Sequence, residues 1–273
     1  MADADAVRDA GLPARLSPSP SPGLPVPAPS SAAPAPAPTP APAPGEMSLV
    51  GHLTELRNRI VKVVLAVAIG SAVGFYFANA IIGLLVAPLP NDQLQFTGLG
   101  DAFFINVKIA IVVGIILAMP VILWQIWGFV SPGLTADERR IVRPWIPLAL
   151  VFFSVGVVIA YVIMPFAVQF LLGFSSDYLH PLITAGPYFD FVTMLFLVFG
   201  LIMEFPILLF GLSRVGIVTS QRLSSSRRMA ILGIAIFAAA ATPGGDLVSP
   251  TVLGVTMYVL YEGTIVAIRR TGR

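Results

Sequence analysis

The chain has 273 residues, of which 56% are hydrophobic and only 11% charged, with a net charge of +2 and a mean hydropathy of +0.88. A soluble domain does not carry so little charge over this length, and the absence of cysteine excludes disulfides, thiolate metal sites and cysteine nucleophiles. A pI near 9.1 does not mark a nucleic-acid binder here, because the basic residues flank apolar runs instead of interleaving with aromatics on one patch.

Residues 1–46 differ in kind from the rest. The stretch from Ser17 to Pro44 is nearly all Pro, Ala and Ser, which cannot bury a core, and it lacks the apolar h-region of a secretory signal. It reads as a disordered cytoplasmic tail: a linker, a docking tail for proline-binding partners, or residues ahead of a true start at Met47. Residues 47–273 form the membrane domain.

That domain opens on an amphipathic segment, with Leu49, Leu53, Leu56 and Ile60 at helical spacing. Its apolar face is expected to lie along the interface before the chain turns inward. Within it Glu55 and Arg59 stand four apart and can simply pair. A spanning helix needs about 20 apolar residues to cross roughly 30 Å. Residues 60–80, 103–124, 147–164 and 191–212 are read as meeting this length. Residues 229–241 do not: thirteen residues reach only about 20 Å. Residues 251–268 carry Glu262, and the turn Thr242-Pro243-Gly244-Gly245 joins the two into an expected short hairpin.

Lys and Arg alternate with these runs. Arg57, Arg59 and Lys62 precede the first, Arg139, Arg140 and Arg143 follow the second, and Arg214, Arg222, Arg227 and Arg228 follow the fourth. Arg269, Arg270 and Arg273 end the chain, whereas residues 82–102, 165–189 and 242–250 contain no Lys or Arg. Basic loops stay cytoplasmic, so the expected fold is an all-α polytopic bundle of six transmembrane helices, N-in and C-in, with the last two short. Pro120 and Pro206 fall inside the second and fourth spans and invite kinks that would give a concave bundle; kinks of this sort also serve simply as packing devices. Pro144 and Pro147 mark the start of the third span and Pro165 its exit.

Glu204 is the most expensive residue. It lies about 21 Å along the helix from Asp190 and about 15 Å from Arg214, near the bilayer midplane. It either carries its proton at rest or faces water or a polar partner. Hydrogen bonding between helices is the plain reading; lining a substrate path or meeting a partner helix is the functional one. Lys108 stands closer to the outer face, where it can snorkel. At the other end, after Pro132-Gly133, the first inner loop offers Asp137-Glu138-Arg139-Arg140. Within residues 47–273 acidic residues are sparse on that side, and Glu55, Asp137 and Glu138 are most of them. Carboxylates among arginines suit a ligand bearing several guanidiniums, although surface ion pairs would look the same.

No HExxH, Walker A or GxSxG pattern occurs, and His52 and His180 fall on opposite sides of the expected membrane. No cofactor is called for. A proton-coupled solute transporter using Glu204 is the alternative, weakened by the lack of a matching motif in a second half. An intramembrane enzyme lacks a nucleophile and base at one depth.

The run HLTELRNR at residues 52–59, residues 104–108, Pro120 with residues 125–129 and 131–134, and residues 137–140 together resemble the TatC family. So do residues 199–206, Thr242-Pro243 through Asp246, Met257-Tyr258 and Tyr261-Glu262. The resemblance implies the signal-receptor core of the twin-arginine translocase in a bacterial cytoplasmic membrane, energised by the proton-motive force. It implies twin-arginine signal peptides of folded cargo as ligand, TatA- and TatB-type single-span partners, and an oligomeric complex. Glu55, Arg57, Phe129 and Glu138 match receptor positions; Glu204, with Pro206 beside it, matches an intramembrane glutamate facing partner helices. Pro88 matches an outer-loop proline and Asp246 an acidic residue of the outer turn. Pro250 departs from the family pattern, standing where many members have glutamine.

Overall fold

The computed structural model describes residues 49–89, 94–176, 178, 181–214, 216–242 and 246–270, and of these not the side chains of residues 49, 50, 138 and 141. The Pro/Ala-rich stretch, the start at Met47, His180 and most of the Thr242–Gly245 turn lie outside the described residues.

The first helix, α1 (Leu49–Tyr76), is one unbroken rod. The expected turn between the amphipathic segment and the first span is absent: no proline or adjacent glycines lie between Gly51 and Gly70, so nothing stops the helical bonding. Its 28 residues measure about 42 Å, longer than a hydrocarbon core of roughly 30 Å. After Phe77 comes α2 (Ala78–Val86), then α3 (Asp101–Val130), which continues through Pro120. A single 3-10 turn (Ser131–Gly133) leads to α4 (Ala136–Val142) and α5 (Trp145–Leu172). Pro144 stands at the cap of α5, but Pro165 is not its exit, since the helix runs on to Leu172.

The fourth span is two helices, α6 (Ala185–Ile202) and α7 (Phe205–Arg214). Pro206 has no N–H for the Ile202 carbonyl, and the chain breaks there instead of bending through. The Glu204 N–H turns to Leu201 O at 3.1 Å, and Glu204 O takes the Ile207 and Leu208 N–H groups to restart the ladder. Then follow α8 (Ser220–Ser225), α9 (Arg227–Ala241) and α10 (Val248–Arg270). The hairpin is short on one side only. With 23 residues α10 can cross a membrane, whereas the 15 residues of α9 reach about 22 Å. Among the described residues five runs are long and apolar enough to span: α1, α3, α5, α6 with α7, and α10.

Neighbours follow an open series. α1 rests chiefly on α3; α3 packs on α5 and α6; α10 packs on α5, α7 and α9. The core holds Met164 and Ala160 of α5, Val192, Leu195 and Phe199 of α6, and Leu253 and Ile265 of α10, all essentially inaccessible. In lipid the hydrophobic effect does not draw helices together, so association depends on close backbone approach at small residues. The α1–α3 seam is built this way: a Cβ on Gly70 would stand 2.7 Å from Gly114 O, and one on Gly114 only 2.2 Å from Ser71 Oγ and 2.8 Å from Ser71 Cα.

The end away from the arginines is tied together by contacts between segments far apart in the chain. Gln95 accepts from Ala185 N–H (2.9 Å) and donates to Ile183 O (3.0 Å), and Tyr188 Oη donates to Leu85 O at 2.5 Å. Lys108 does not simply snorkel to water; it pairs with Asp190 across α3 and α6.

Gly114→Leu is expected to lower the melting temperature in detergent, by an amount corresponding to about 1–3 kcal/mol of overpacking. Gly83→Ala, where an added Cβ meets nothing within 4 Å, is the neutral control. Equal melting of the two variants would mean that α1 and α3 are not locked by this contact.

Candidate ligand site at the arginine-bearing end

The first turns of α1 lie against the last turns of α3 because the seam above holds the two helices antiparallel. His52, Glu55 and Arg59 recur at spacings of three and four, which puts them on one face of α1. Gln125, Gly128 and Phe129 do the same on α3. Where these rows meet, Arg59 donates to Glu55 Oε1 from Nε (3.0 Å) and Nη2 (2.5 Å), and from Nη1 to Gln125 Oε1 (3.3 Å). The guanidinium lies over Gly128, where a Cβ would come 2.0 Å from Nη1. One position on, the His52 and Phe129 rings stack with centroids 4.4 Å apart and planes at 21°. Glu55 and Arg59 are each 23% exposed, so the pair is only partly shielded from solvent.

Of the receptor positions expected from sequence, Glu55 and Phe129 therefore belong to one cluster. Arg57 is exposed and sits two positions from Glu55, off the face that meets α3. Glu138 lies in α4, and its side chain is outside the described residues. The 3-10 turn ahead of α4 is tied down by Arg139, whose Nη2 donates to Ser131 O at 2.7 Å. His52, Arg59, Gln125 and Gly128 were not singled out as site residues. The row 52, 55, 59 was readable at helical spacing, but Thr54, Arg57, Asn58 and Lys62 make neighbouring rows polar too, so the sequence alone did not single it out.

Glu204 is enclosed by the chain itself, with only 6% of its surface exposed. It stands in the joint between α6 and α7, and its Oε1 has no hydrogen-bond partner among the described residues. Pro206 is buried in the first turn of α7, where a missing N–H costs little. Pro88 follows α2, half-buried beside Leu89, whose N–H returns to Val86 O at 2.9 Å. Asp246 is buried, and its Oδ1 accepts the Ser249 N–H at 2.5 Å, which caps α10. Pro250 falls in the first turn of α10.

A second set of contacts braces the inner end of α10. Arg227 Nη2 donates to Glu262 Oε2 (2.8 Å), Tyr261 Oη to Leu223 O (2.6 Å) and Arg269 Nη2 to Ser224 Oγ (2.5 Å). Glu262, unwelcome in a spanning helix, thus meets a guanidinium from the start of α9. Nearby, Arg214 lies over Phe210 at 4.9 Å, and Phe210 stacks on Trp145 at 3.7 Å. Among the described residues no group of three or more His, Cys, Asp or Glu could hold a metal ion.

With this geometry in view, known proteins match the chain along most of its length. The family model described as Sec-independent protein translocase protein (TatC) matches residues 51–255. A Sec-independent protein translocase protein TatC of Carboxydothermus hydrogenoformans is 37% identical over 222 residues, covering 80% of this chain and 91% of that protein. The Bacillus subtilis protein TatCy is 36% identical over 224 residues, covering 81% and 88%. A crystal structure described as the twin arginine translocase receptor TatC superposes with a TM-score of 0.70 at 33% identity, covering 81% of this chain and all of that one. A second, of the same receptor in DDM, gives the same TM-score at 32% identity. The polar row on α1, the 3-10 turn ahead of α4 and the Glu204–Pro206 joint all fall within the matched stretch, and the chain belongs to the TatC family of Sec-independent protein translocases.

Proposed function

We propose that this chain is the signal-receptor subunit of a twin-arginine translocase, a non-enzymatic protein of the bacterial cytoplasmic membrane that admits folded cargo bearing twin-arginine signal peptides. It works with single-span TatA- and TatB-type partners in an oligomeric complex driven by the proton-motive force. The observation that carries the reading is the Glu55–Arg59–Gln125 cluster beside the His52–Phe129 stack. There a carboxylate already holds a guanidinium, next to a flat aromatic face. Nothing in the architecture favours the alternative of a proton-coupled solute transporter.

In this reading one arginine of the signal peptide displaces Arg59 from Glu55, and the second is taken by Glu138 on α4. Exchange is cheap because one Arg–carboxylate pair replaces another, and a partly exposed i,i+4 pair is worth only about 0.3–0.5 kcal/mol. Phe129 offers its ring to the incoming guanidinium, and Arg57 flanks the entry. Glu204 and Pro206, at the joint, serve the placement of a partner or signal helix; Pro88 and Asp246 shape the opposite end.

Glu55→Gln and Glu138→Gln are each expected to weaken binding of a twin-arginine peptide tenfold or more, consistent with roughly 1.5–3 kcal/mol for a charge-assisted hydrogen bond. Photocrosslinking from position 138 should label a twin-arginine peptide and spare its twin-lysine counterpart; unchanged binding in both variants would remove the site. Arg59→Gln should instead tighten binding about two- to fivefold, because the internal competitor is gone. Weaker binding by Arg59→Gln would show that Arg59 orients Glu55 and does not occupy it. For Glu204→Ala, peptide crosslinking at position 138 should survive while crosslinks to partner helices fall. Loss of both together would place Glu204 in the peptide site.

A further inference from the structure

A groove of about 760 Å3 opens between α3, α4 and α5, apart from the Glu55 cluster. Its walls are apolar, with Trp124 from α3 and Pro147 and Leu150 from α5, and its rim carries Arg139, Arg140 and Arg143. Trp124 is 58% exposed on this face, and Arg140 and Arg143 are likewise exposed. Among the described residues that line the groove there is no carboxylate. The described lining is complementary to an occupant that is apolar along its length and anionic at one end. The arginine-rich segment of a signal peptide fails that test, since three guanidiniums would repel it.

We propose that this groove binds one anionic phospholipid from the leaflet at the arginine-bearing end, its phosphate among Arg139, Arg140 and Arg143 and an acyl chain along Trp124 and Leu150. Guanidinium forks match phosphate oxygens bidentately, and tryptophan favours the headgroup–hydrocarbon boundary where such a lipid changes character. Basic pockets between transmembrane helices suit anionic headgroups for the same reason. A zwitterionic lipid would bring its own cation against the arginines, and free phosphate would leave the apolar walls wet. The bound lipid would brace α4 against α5. It would thereby fix the short helix that carries Glu138, linking membrane composition to the receptor end of the molecule.

Native mass spectrometry tests this with the full chain in a non-ionic detergent, given equal phosphatidylglycerol and phosphatidylcholine. The wild type should retain one phosphatidylglycerol with about a tenfold preference, and Arg140→Gln/Arg143→Gln should fall close to parity. Arg228→Gln/Arg270→Gln, which removes the same charge at exposed positions elsewhere, should keep the preference. Leu150→Trp, which fills the chain slot without altering charge, should lose retention of both lipids, a readout that holds if the arginine double variant folds poorly. The proposal falls if the wild type shows no preference or if the remote double variant loses it equally. It also falls if millimolar inorganic phosphate strips the lipid, since the site would then hold an anion and not a lipid.

Discussion

Everything at the receptor end depends on how closely the backbones of α1 and α3 approach. Gly70 and Gly114 let the two helices meet where a single methyl group on either would collide with main chain or with Ser71. In water such a contact would be one contribution among many. In lipid, where tails are as apolar as leucine, dispersion at short range carries most of the association. The seam also fixes axial register. One turn of slip, about 5.4 Å, would take His52 off Phe129 and Arg59 off Gln125. The polar cluster is therefore a downstream product of glycines about three to five turns away.

The joint at Met203 and Glu204 follows a different logic. A spanning backbone must satisfy its polar groups internally, so a break at membrane depth persists only where protein surrounds it. Here Glu204 contributes its own carbonyl to two N–H groups of α7, and the side chain is almost fully covered. A charged residue type and a proline thus sit together at a place where the helix has already ended. Asp246 shows the same economy at the start of α10, where a carboxylate satisfies a helix N–H that lipid could not.

Much of this was legible in the residues. Apolar runs and basic flanks located the spans, and the spacing of residues 49, 53, 56 and 60 found the first helix. The break at Pro206 was visible as a proline, but whether a helix bends or stops depends on what covers the freed carbonyl, which is tertiary information. Pro165 looked like an exit for the same reason and proved to be interior. The length of α10 was misjudged because Glu262 counted against it; its partner Arg227 stands 35 residues away, beyond any local pattern. Glu55 was legible through the family motif, whereas Gln125 and Gly128 became part of the cluster only once α3 lay against α1.

The mismatch between α9 and α10 bears on biogenesis. At about 22 Å, α9 cannot by itself cover a hydrocarbon layer of roughly 30 Å, so it gains little from partitioning alone. It packs on α10, and its first residue, Arg227, bonds to the acid that α10 would otherwise carry unpaired. Yet α10 is synthesised after α9. The contacts that cover α9 therefore become available only once α10 has emerged. Folding of this end is a late event set by chain order, while the seam between α1 and α3 can close as soon as the second span leaves the ribosome.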